Sequence, residues 1–386
     1  VTTLAGFSSG FANGQGTNAR FSYPEDIAFS PGGYLVVVDR NNHRIRRVSL
    51  LGNVSTIAGT GSASYADGAG NVARFNSPYG IGIGSTGLMW IADAHNHRIR
   101  RVDVASLICD DFSPCTADSC HAKFGCHHFK LNVGDKCTDG TKCETDGICN
   151  NKGQCNGKPK TCADSNPCTI DSCDPASGTC VHGFSSDNCN DGDLCSEGER
   201  CTVGMCLVTK AKVGTYTGSG QWGTKDGNGT AATHYSPRAL ATDGKGTVYV
   251  ADAQGYRIRK IDSKGNVTTF AGSGQGGWTD GAAPNARFNY PTGLAIDSVG
   301  NMYVADRNNH RIRKVSNGKV TTIGGNGSAT YKNGTGTNSS FYYPEGIDVA
   351  ADGTVYVADT YNHRIRKIDT QNNVTLLLGT GKQGYS

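Results

Sequence analysis

The sequence predicts an all-β repeat protein that carries a cysteine-rich insertion, and three observations support this. A strand-like run ending in Val/Ile-Ala-Asp or Val-Val-Asp is followed five times by the same basic strand, His/Tyr-Arg-Ile-Arg. The proline that precedes each repeat recurs every 53 or 54 residues, except that Pro78 and Pro237 are 159 residues apart. The 54 glycines and the short apolar runs between Gly/Asn/Asp clusters are typical of strands joined by turns. Such a period indicates one unit stacked on copies of itself.

Each repeat contains four strand candidates. In the fourth repeat they are VTTFAG (267–272), TGLAID (292–297), NMYVAD (301–306) and HRIRKV (310–315). We call the strand after the proline a, the next two b and c, and the VTTxAG strand d. Four short antiparallel strands cannot bury their apolar face alone, so the units are expected to close radially into a β-propeller.

The motif Asn-His-Arg-Ile-Arg after Val-Ala-Asp, with Pro-x-Gly-Ile/Leu-Ala upstream, resembles the NHL-repeat family of β-propellers. The resemblance covers residues 1–103 and 213–386. It implies an NHL-like propeller with five recognisable four-stranded repeats. A sixth blade completed in trans is the alternative.

The recurring histidine is interpreted as structural, not as part of a metal ring. Each histidine follows an aspartate by four residues, so the carboxylate can accept a hydrogen bond from the ring across a tight turn. The third repeat keeps Asp252 but has Tyr256 in the histidine position, which a catalytic ring would hardly tolerate. The predicted pairs are Asp39 with His43, Asp93 with His97, Asp306 with His310, and Asp359 with His363.

The second repeat is interrupted by a cysteine-rich segment. The predicted boundaries are 1–103 for the first part of the propeller, 104–212 for the insert and 213–386 for the rest. CDDFSPCTADSC (109–120) matches CADSNPCTIDSC (162–173), which divides the insert into halves of about 109–161 and 162–206. The motif Cys-Thr-x-Asp-Ser-Cys resembles slime-mould-type cysteine-rich repeats of secreted and matrix proteins.

The 16 cysteines predict eight disulfides in place of an apolar core, and hence an extended stalk. Each disulfide constrains the unfolded chain by about 2–4 kcal/mol. Connectivity stays open, with three pairings per four-cysteine module, and the spacings do not suit zinc. The residues are Cys109, Cys115, Cys120, Cys126, Cys137, Cys143, Cys149, Cys155, Cys162, Cys168, Cys173, Cys180, Cys189, Cys195, Cys201 and Cys206.

The cysteines indicate an oxidising compartment, so a secreted, extracellular protein is expected. Because VTTLAG (1–6) already matches an internal strand, any signal peptide is expected to lie outside this sequence. No apolar run is long enough to span a bilayer. Seven N-glycosylation sequons are present, at Asn53, Asn228, Asn266, Asn326, Asn333, Asn338 and Asn373.

The numbers of strand candidates do not match, because the sequence contains five a–b–c sets but six d strands. Either residues 1–6 or residues 374–379 are therefore spare. The leading hypothesis is that the spare strand pairs with a neighbouring copy by strand addition, which gives a head-to-tail fibre. The alternatives are a degenerate sixth blade, a missing continuation of the chain, or a tolerated edge strand.

No catalytic motif occurs, and most polar residues recur in each repeat, so neither an enzyme nor a cofactor is expected. The predicted function is an extracellular structural or adhesive glycoprotein that self-assembles. The first alternative is a monomeric binding module for a glycan or protein on the face formed by the d–a and b–c connections. The second is a metal-dependent hydrolase or lyase with its site in the channel.

The charge is uneven, with +9 on the repeats and −5 on residues 104–212. This asymmetry permits head-to-tail attraction or binding of acidic glycans. A nucleic-acid partner is not expected, because the insert indicates an extracellular protein and stacking platforms for bases are not evident.

Overall fold

The computed structural model describes residues 2–103, 211–243 and 245–383, and between them the backbone of ten strands of the insert. The repeats form five antiparallel sheets, so the predicted propeller has five blades. No helix in the described part is long and apolar enough to cross a membrane.

Within each blade the sheet order is outer strand, d, c, b and a, with a innermost. The a strands are Pro24–Phe29, Pro78–Ile83, Pro237–Thr242, Pro291–Ile296 and Pro344–Val349. The b strands are Leu35–Asp39, Met89–Asp93, Val248–Asp252, Met302–Asp306 and Val355–Asp359. The c strands are Arg44–Val48, Arg98–Asp103, Arg257–Ile261, Arg311–Ser316 and Arg364–Ile368.

The d strands are Asn53–Ala58, Lys212–Thr217, Asn266–Ala271, Lys319–Gly324 and Asn373–Leu378. Each pairs on its outer side with a two-residue strand from the d–a loop that the sequence analysis did not predict. These outer strands are Gly14–Gln15, Gly68–Ala69, Gly227–Asn228, Gly281–Ala282 and Gly334–Thr335.

The apolar core is divided into clusters that lie between consecutive blades. Between blades 1 and 2, for example, Val36 and Ile45 pack with Phe75 and Ile91. Equivalent clusters join blades 2 and 3, 3 and 4, and 4 and 5. Blades 2, 3 and 4 therefore bury both faces against their neighbours, as the alternation of apolar residues along the strands requires, whereas blades 1 and 5 each bury one face in such a cluster.

The aspartate that ends each b strand is paired with arginine, so the predicted aspartate–histidine hydrogen bonds are wrong. In blade 1, Asp39 accepts from Arg46 Nη1 at 2.6 Å and from Asn42 Nδ2 at 2.8 Å, and both members of the ion pair are fully buried. Its other oxygen accepts from the Ser22 N–H at 2.8 Å. The correction applies to Asp93, Asp306 and Asp359, which pair with Arg100, Arg313 and Arg366 instead of His97, His310 and His363.

The histidine reaches the next blade. Nδ1 of His43 accepts from the Ser77 N–H at 3.1 Å, and Nδ1 of His310 accepts from the Tyr343 N–H at 3.1 Å. His43 has a φ of 53°, and this left-handed conformation turns the chain from strand b into strand c. The histidines are thus structural, but they join blades and do not hold the turn's own carboxylate.

The insert leaves the blade between two paired strands, because Asp103 and Lys212 are backbone partners. Its described backbone shows the same pattern twice: a two-stranded sheet followed by a three-stranded sheet. The two-stranded sheets are Thr116–His121 with Gly125–Lys130, and Thr169–Cys173 with Cys180–Phe184. The cysteine side chains lie outside the described residues, and so do the predicted disulfides.

The structure shows which of the six predicted d strands lies outside the blades. Asn373–Leu378 pairs with Arg364–Ile368, so blade 5 is completed by its own strand. Residues 2–6 lie outside all five sheets, although Ala5 packs on the free face of blade 1 with Phe21 and Val37. The spare segment is therefore the N-terminal one.

Candidate functional site

The a strands of consecutive blades approach closely around the central channel. A Cβ atom added at Gly80 would collide with the carbonyl oxygen of Arg238, and one added at Gly293 with that of Glu345. Glycine is needed at these positions because neighbouring backbones meet there. The a strands therefore line the channel, and the side chains at their first residues surround one mouth of it.

This mouth belongs to the face formed by the d–a and b–c connections. The residues around it differ from blade to blade. The position after the proline is Glu25, Tyr79, Arg238, Thr292 and Glu345 in turn. The residue that opens the b–c turn is arginine in blades 1 and 4 only, as Arg40 and Arg307. We define the channel-mouth cluster as Glu25, Arg40, Tyr79, Arg238, Tyr290, Arg307, Tyr343, Glu345 and Tyr361.

Arginines and tyrosines alternate in space through this cluster. The Tyr79 ring lies between two guanidinium groups, with the Arg40 Cζ at 4.5 Å and the Arg238 Cζ at 3.5 Å from its centroid. Arg238 Nη2 donates to the Tyr290 hydroxyl at 2.6 Å. The Arg307 Cζ lies 4.3 Å from the centroid of Tyr343. Each such contact contributes about 0.5–1 kcal/mol at an exposed site and more when desolvated.

Two of the three arginines in the cluster form ion pairs with glutamates. Arg40 Nη1 donates to Glu25 Oε1 at 2.9 Å, and Arg307 Nε donates to Glu345 Oε1 at 2.6 Å. Among the described residues, Arg238 has no carboxylate partner and its Nε makes no hydrogen bond. The cluster therefore keeps one positive charge without an ion-pair partner, and Arg238 carries it.

Burial is the main cause of the pKa shifts at the mouth, and the arginines modify two of them. Burial lowers the pKa of His95, and Arg238 and Arg40 lower it further, so the imidazole is neutral at pH 7. Burial also raises the pKa of Tyr79, although the two arginines oppose that shift. Burial raises the pKa of Asp26, deeper in the channel, to about 7, against hydrogen bonds from the Ile81 and Ile27 N–H groups.

The aromatic rings extend the mouth toward solvent on blade 5. Tyr343 and Tyr361 have ring centroids 5.0 Å apart, and Tyr342 lies 5.3 Å from Tyr361. Tyr361 is 52% exposed. Such faces can stack against a flat or ring-shaped ligand, while arginine and glutamate side chains offer planar arrays of donors and acceptors.

No group of three or more His, Cys, Asp or Glu side chains suited to a metal is found within the described ranges. Of the predicted sequons, Asn53, Asn228, Asn326, Asn333 and Asn338 are exposed, whereas Asn266 and Asn373 are partly buried. The amide groups of Asn266 and Asn373 donate to the carboxylates of Asp262 and Asp369.

The sequence profile of the NHL repeat matches residues 21–48, 288–315 and 341–368, which are a–b–c segments of blades 1, 4 and 5. These three segments of the chain therefore match the NHL repeat, within a fold that is a five-bladed β-propeller. The profile of the Dictyostelium (slime mold) repeat matches residues 108–130 and 161–182 of the insert. Both resemblances drawn from the motifs are confirmed.

NHL repeat-containing protein 2 of Bos taurus is 27% identical to this NHL-repeat propeller over 367 residues, covering 87% of this chain and 45% of that protein. The chain thus spans less than half the length of this relative. Protein psiQ of Dictyostelium discoideum is 38% identical over 103 residues, 25% of this chain and 10% of that protein. The structure of a gluconolactonase from Xanthomonas campestris is similar over 95% of this chain and 78% of that protein, with 10% sequence identity and a TM-score of 0.45. That likeness carries no argument about activity.

Proposed function

We propose that this protein is an extracellular, non-enzymatic binding and adhesion glycoprotein whose propeller holds a saccharide at the channel-mouth cluster. One observation carries the proposal. The side chains that break the repeat pattern converge on one mouth of the channel and combine tyrosine faces with arginine and glutamate. This is the face that the first alternative reading of the sequence assigned to a glycan or protein ligand.

The ligand chemistry follows from the geometry of the cluster. Tyr343 and Tyr361 offer ring faces on which the C–H surface of a sugar can stack. Glu25 and Glu345 each keep one carboxylate oxygen outside their arginine ion pair, and these oxygens can accept from vicinal hydroxyls. Arg238, which lacks a carboxylate partner, favours a saccharide that carries a carboxylate or a sulfate.

The extracellular location is supported by the cysteine-rich composition of the insert, by its slime mold repeats and by the exposed sequons. A non-enzymatic role is supported by the cluster itself. Its arginines are tied to glutamate or tyrosine, and Tyr79 is enclosed between two of them. Such groups bind and orient a ligand.

The test is saccharide binding by the full-length protein, measured on an array of neutral and acidic oligosaccharides and then by calorimetry. Arg238→Gln should weaken binding of the acidic saccharides at least tenfold, since one charge-assisted contact contributes about 1.5–3 kcal/mol. Tyr361→Ala should weaken neutral and acidic saccharides alike. Arg101→Gln is the matched control, because Arg101 is exposed and lies on strand c of blade 2. Equal losses in Arg238→Gln and Arg101→Gln, or no saccharide binding at all, would contradict the proposal.

Self-assembly into a fibre is a second candidate, which the spare segment favours. Residues 2–6 are outside the sheets, and Leu4 is 41% exposed. A strand-like apolar segment of this kind can pair with another chain. Deleting residues 1–6 should convert assembled material to monomer by light scattering, whereas deleting residues 384–386 should not. A monomeric native protein would exclude this candidate.

A further inference from the structure

The d–a loops of blades 1, 2, 4 and 5 each present one aromatic ring, which is stacked on the arginine that opens strand c of the same blade. The distance from the arginine Cζ atom to the ring centroid is 3.8 Å for Arg44 with Phe11 and 4.1 Å for Arg311 with Trp278. The remaining pairs are Arg98 with Tyr65 and Arg364 with Tyr331. Because this contact recurs from blade to blade, it belongs to the architecture of the loop.

The loop of blade 3 breaks this pattern. It has Thr224 at the aromatic position and places a tryptophan, Trp222, two residues earlier. The equivalent residues of the other blades are small: Ser9, Ala63, Gly276 and Ala329. Trp222 is 67% exposed, and in the described part of the chain no guanidinium lies over its ring. A large exposed ring where its counterparts are small, and without the usual arginine, indicates a role that the other blades do not share.

Trp222 lies at the joint between blades 2 and 3, on the face formed by the d–a and b–c connections. Its ring centroid is 5.3 Å from that of Tyr235, which is 6.1 Å from that of His97. The Nδ1 atom of His97 accepts from the Ser236 N–H at 3.4 Å. Burial lowers the pKa of His97, and the neighbouring His95 lowers it further, so the imidazole is neutral at pH 7. Its single ring proton therefore lies on Nε2, which is a donor.

Unused hydrogen-bonding groups surround the tryptophan ring. Gln254 is exposed, and its backbone N–H donates to the Tyr235 carbonyl at 3.1 Å, which places the carboxamide beside the two rings. Among the described residues, no hydrogen-bond partner is found for the Trp222 and His97 ring N–H groups, the Tyr235 hydroxyl or the Gln254 carboxamide. A flat apolar face bordered by donors and acceptors suits a pyranose ring, which has a C–H face and a rim of hydroxyls.

This group of residues is continuous with the channel-mouth cluster. Tyr235 precedes Arg238 by three residues, a length of chain that spans at most about 10 Å. His95 stands between the two groups: beyond the effect of burial, Arg238 lowers its pKa, and it in turn lowers that of His97. One short oligosaccharide can therefore reach both Arg238 and Trp222.

We propose that Trp222, with Tyr235, His97 and Gln254 around it, is a second sugar-binding subsite. The ligand of the propeller is then an acidic oligosaccharide: its charged unit lies at Arg238, and a further sugar ring stacks on Trp222. This inference rests on the proposed function and adds to it the length of the ligand and the direction in which it leaves the mouth.

The experiment compares oligosaccharides of different length on the full chain. The probes are hyaluronan and heparin fragments, as disaccharides and tetrasaccharides, because they carry carboxylates and sulfates. By calorimetry, the tetrasaccharide of the better-binding series should bind about fivefold to tenfold more tightly than its disaccharide, since a stacked ring adds about that factor. Trp222→Ala should remove this gain, and Trp222→Phe should keep part of it. Trp278→Ala is the matched control and should keep the whole gain, because Trp278 is also exposed but is stacked on Arg311.

Tryptophan fluorescence locates the second sugar directly. The chain has three tryptophans, and Trp90 is buried, so Trp222 is the one exposed tryptophan that remains in Trp278→Phe. The tetrasaccharide should shift the emission of this variant and protect it from quenching by acrylamide. The disaccharide, held at Arg238, should do neither.

Arg238→Gln separates this inference from the proposed function. It should weaken the disaccharide and the tetrasaccharide alike, whereas Trp222→Ala should weaken the tetrasaccharide alone. Equal affinities of the two lengths for the native protein, or a gain that survives Trp222→Ala, would overturn the second subsite. The proposed function would still stand if Arg238→Gln weakened the disaccharide. Binding of neither series to the native protein would overturn both.

Discussion

His234 stands where the other four blades have Phe21, Phe75, Phe288 and Phe341. It is fully buried; its Nε2 atom lies 2.9 Å from the Thr217 hydroxyl, and its Nδ1 atom has no hydrogen-bond partner among the described residues. Burial, with a smaller contribution from Arg259, lowers its pKa to about 3. The folded protein therefore holds this imidazole neutral well below the pH at which an unfolded histidine takes up a proton.

The stability of the protein should consequently fall with acid. Below about pH 6.5 the unfolded chain binds a proton that the folded chain binds only near pH 3, so unfolding becomes easier by about 1.4 kcal/mol per pH unit in that window. The double variant His234→Phe with Thr217→Ala should remove this contribution. Urea unfolding at pH 7 and pH 4.5 measures it, and the native protein should lose about 2–3 kcal/mol more than the variant. Equal losses in both proteins would show that His234 is protonated in the folded state.

The buried aspartate should contribute far more than the histidine four residues later. Asp39→Ala leaves the guanidinium of Arg46 buried without its carboxylate, which costs about 3–5 kcal/mol. His43→Asn keeps a residue that tolerates the left-handed turn and removes one hydrogen bond, a cost of about 1 kcal/mol. Thermal and urea unfolding of the two variants would decide between them. A larger loss in His43→Asn would restore the aspartate–histidine interpretation.

The sequence already held the signal for the correct partner of the aspartate. A spacing of seven residues from aspartate to arginine is kept in all five repeats, whereas the spacing of four to histidine fails at Tyr256. In the structure Val37 faces Arg46 across the two strands, and the long arginine side chain returns to Asp39 at the strand end. The histidine was predicted as the partner because it lies close to the aspartate along the chain. The arginine is the actual partner because its long side chain reaches the aspartate from the neighbouring strand.

Strand a has an equivalent glycine in blades 4 and 5, but the two glycines have different surroundings. A Cβ at Gly293 would meet the Glu345 carbonyl oxygen, whereas at Gly346 the nearest atom is the Ala358 Cβ at 3.5 Å. Gly293→Ala should therefore destabilise the protein by about 1–3 kcal/mol, because neighbouring backbones must separate. Gly346→Ala should be neutral within about 0.5 kcal/mol. Unfolding experiments on the two variants form a matched pair, and similar losses would mean that another strand also packs closely against blade 5.

The four strands of each blade could be predicted because their period and turn residues recur five times. The two-residue outer strands could not, since Gly14–Gln15 and its equivalents lie in Gly-rich loops without an apolar pattern. The channel-mouth cluster was missed for the opposite reason. Its members occupy positions that vary between repeats, and a search for recurring residues passes over them. Comparing the five repeats position by position would have isolated Arg238 as an arginine in a column of Glu, Tyr and Thr.

The stability of the whole propeller should be lowest at its two end blades. Blades 2, 3 and 4 bury both faces, whereas in the described part of the chain blades 1 and 5 each leave one face unpaired. Stability in a stacked array depends on such nearest-neighbour interfaces. A competing weak point exists in blade 3. Gly255 replaces the asparagine that donates to the buried aspartate elsewhere, and burial raises the pKa of Asp252 to about 6.

The free-energy costs of the two weak points indicate that the end blades open first. One missing hydrogen bond costs about 1 kcal/mol, whereas one exposed face leaves several large apolar side chains unburied, each worth about 1.5–3 kcal/mol. Native-state hydrogen exchange at pH 7 should therefore show the d strands of blades 1 and 5 exchanging faster than the d strand of blade 3. Faster exchange in Asn266–Ala271 than in Asn373–Leu378 would reverse the ranking. The buried polar network, and not the joint between blades, would then set local stability.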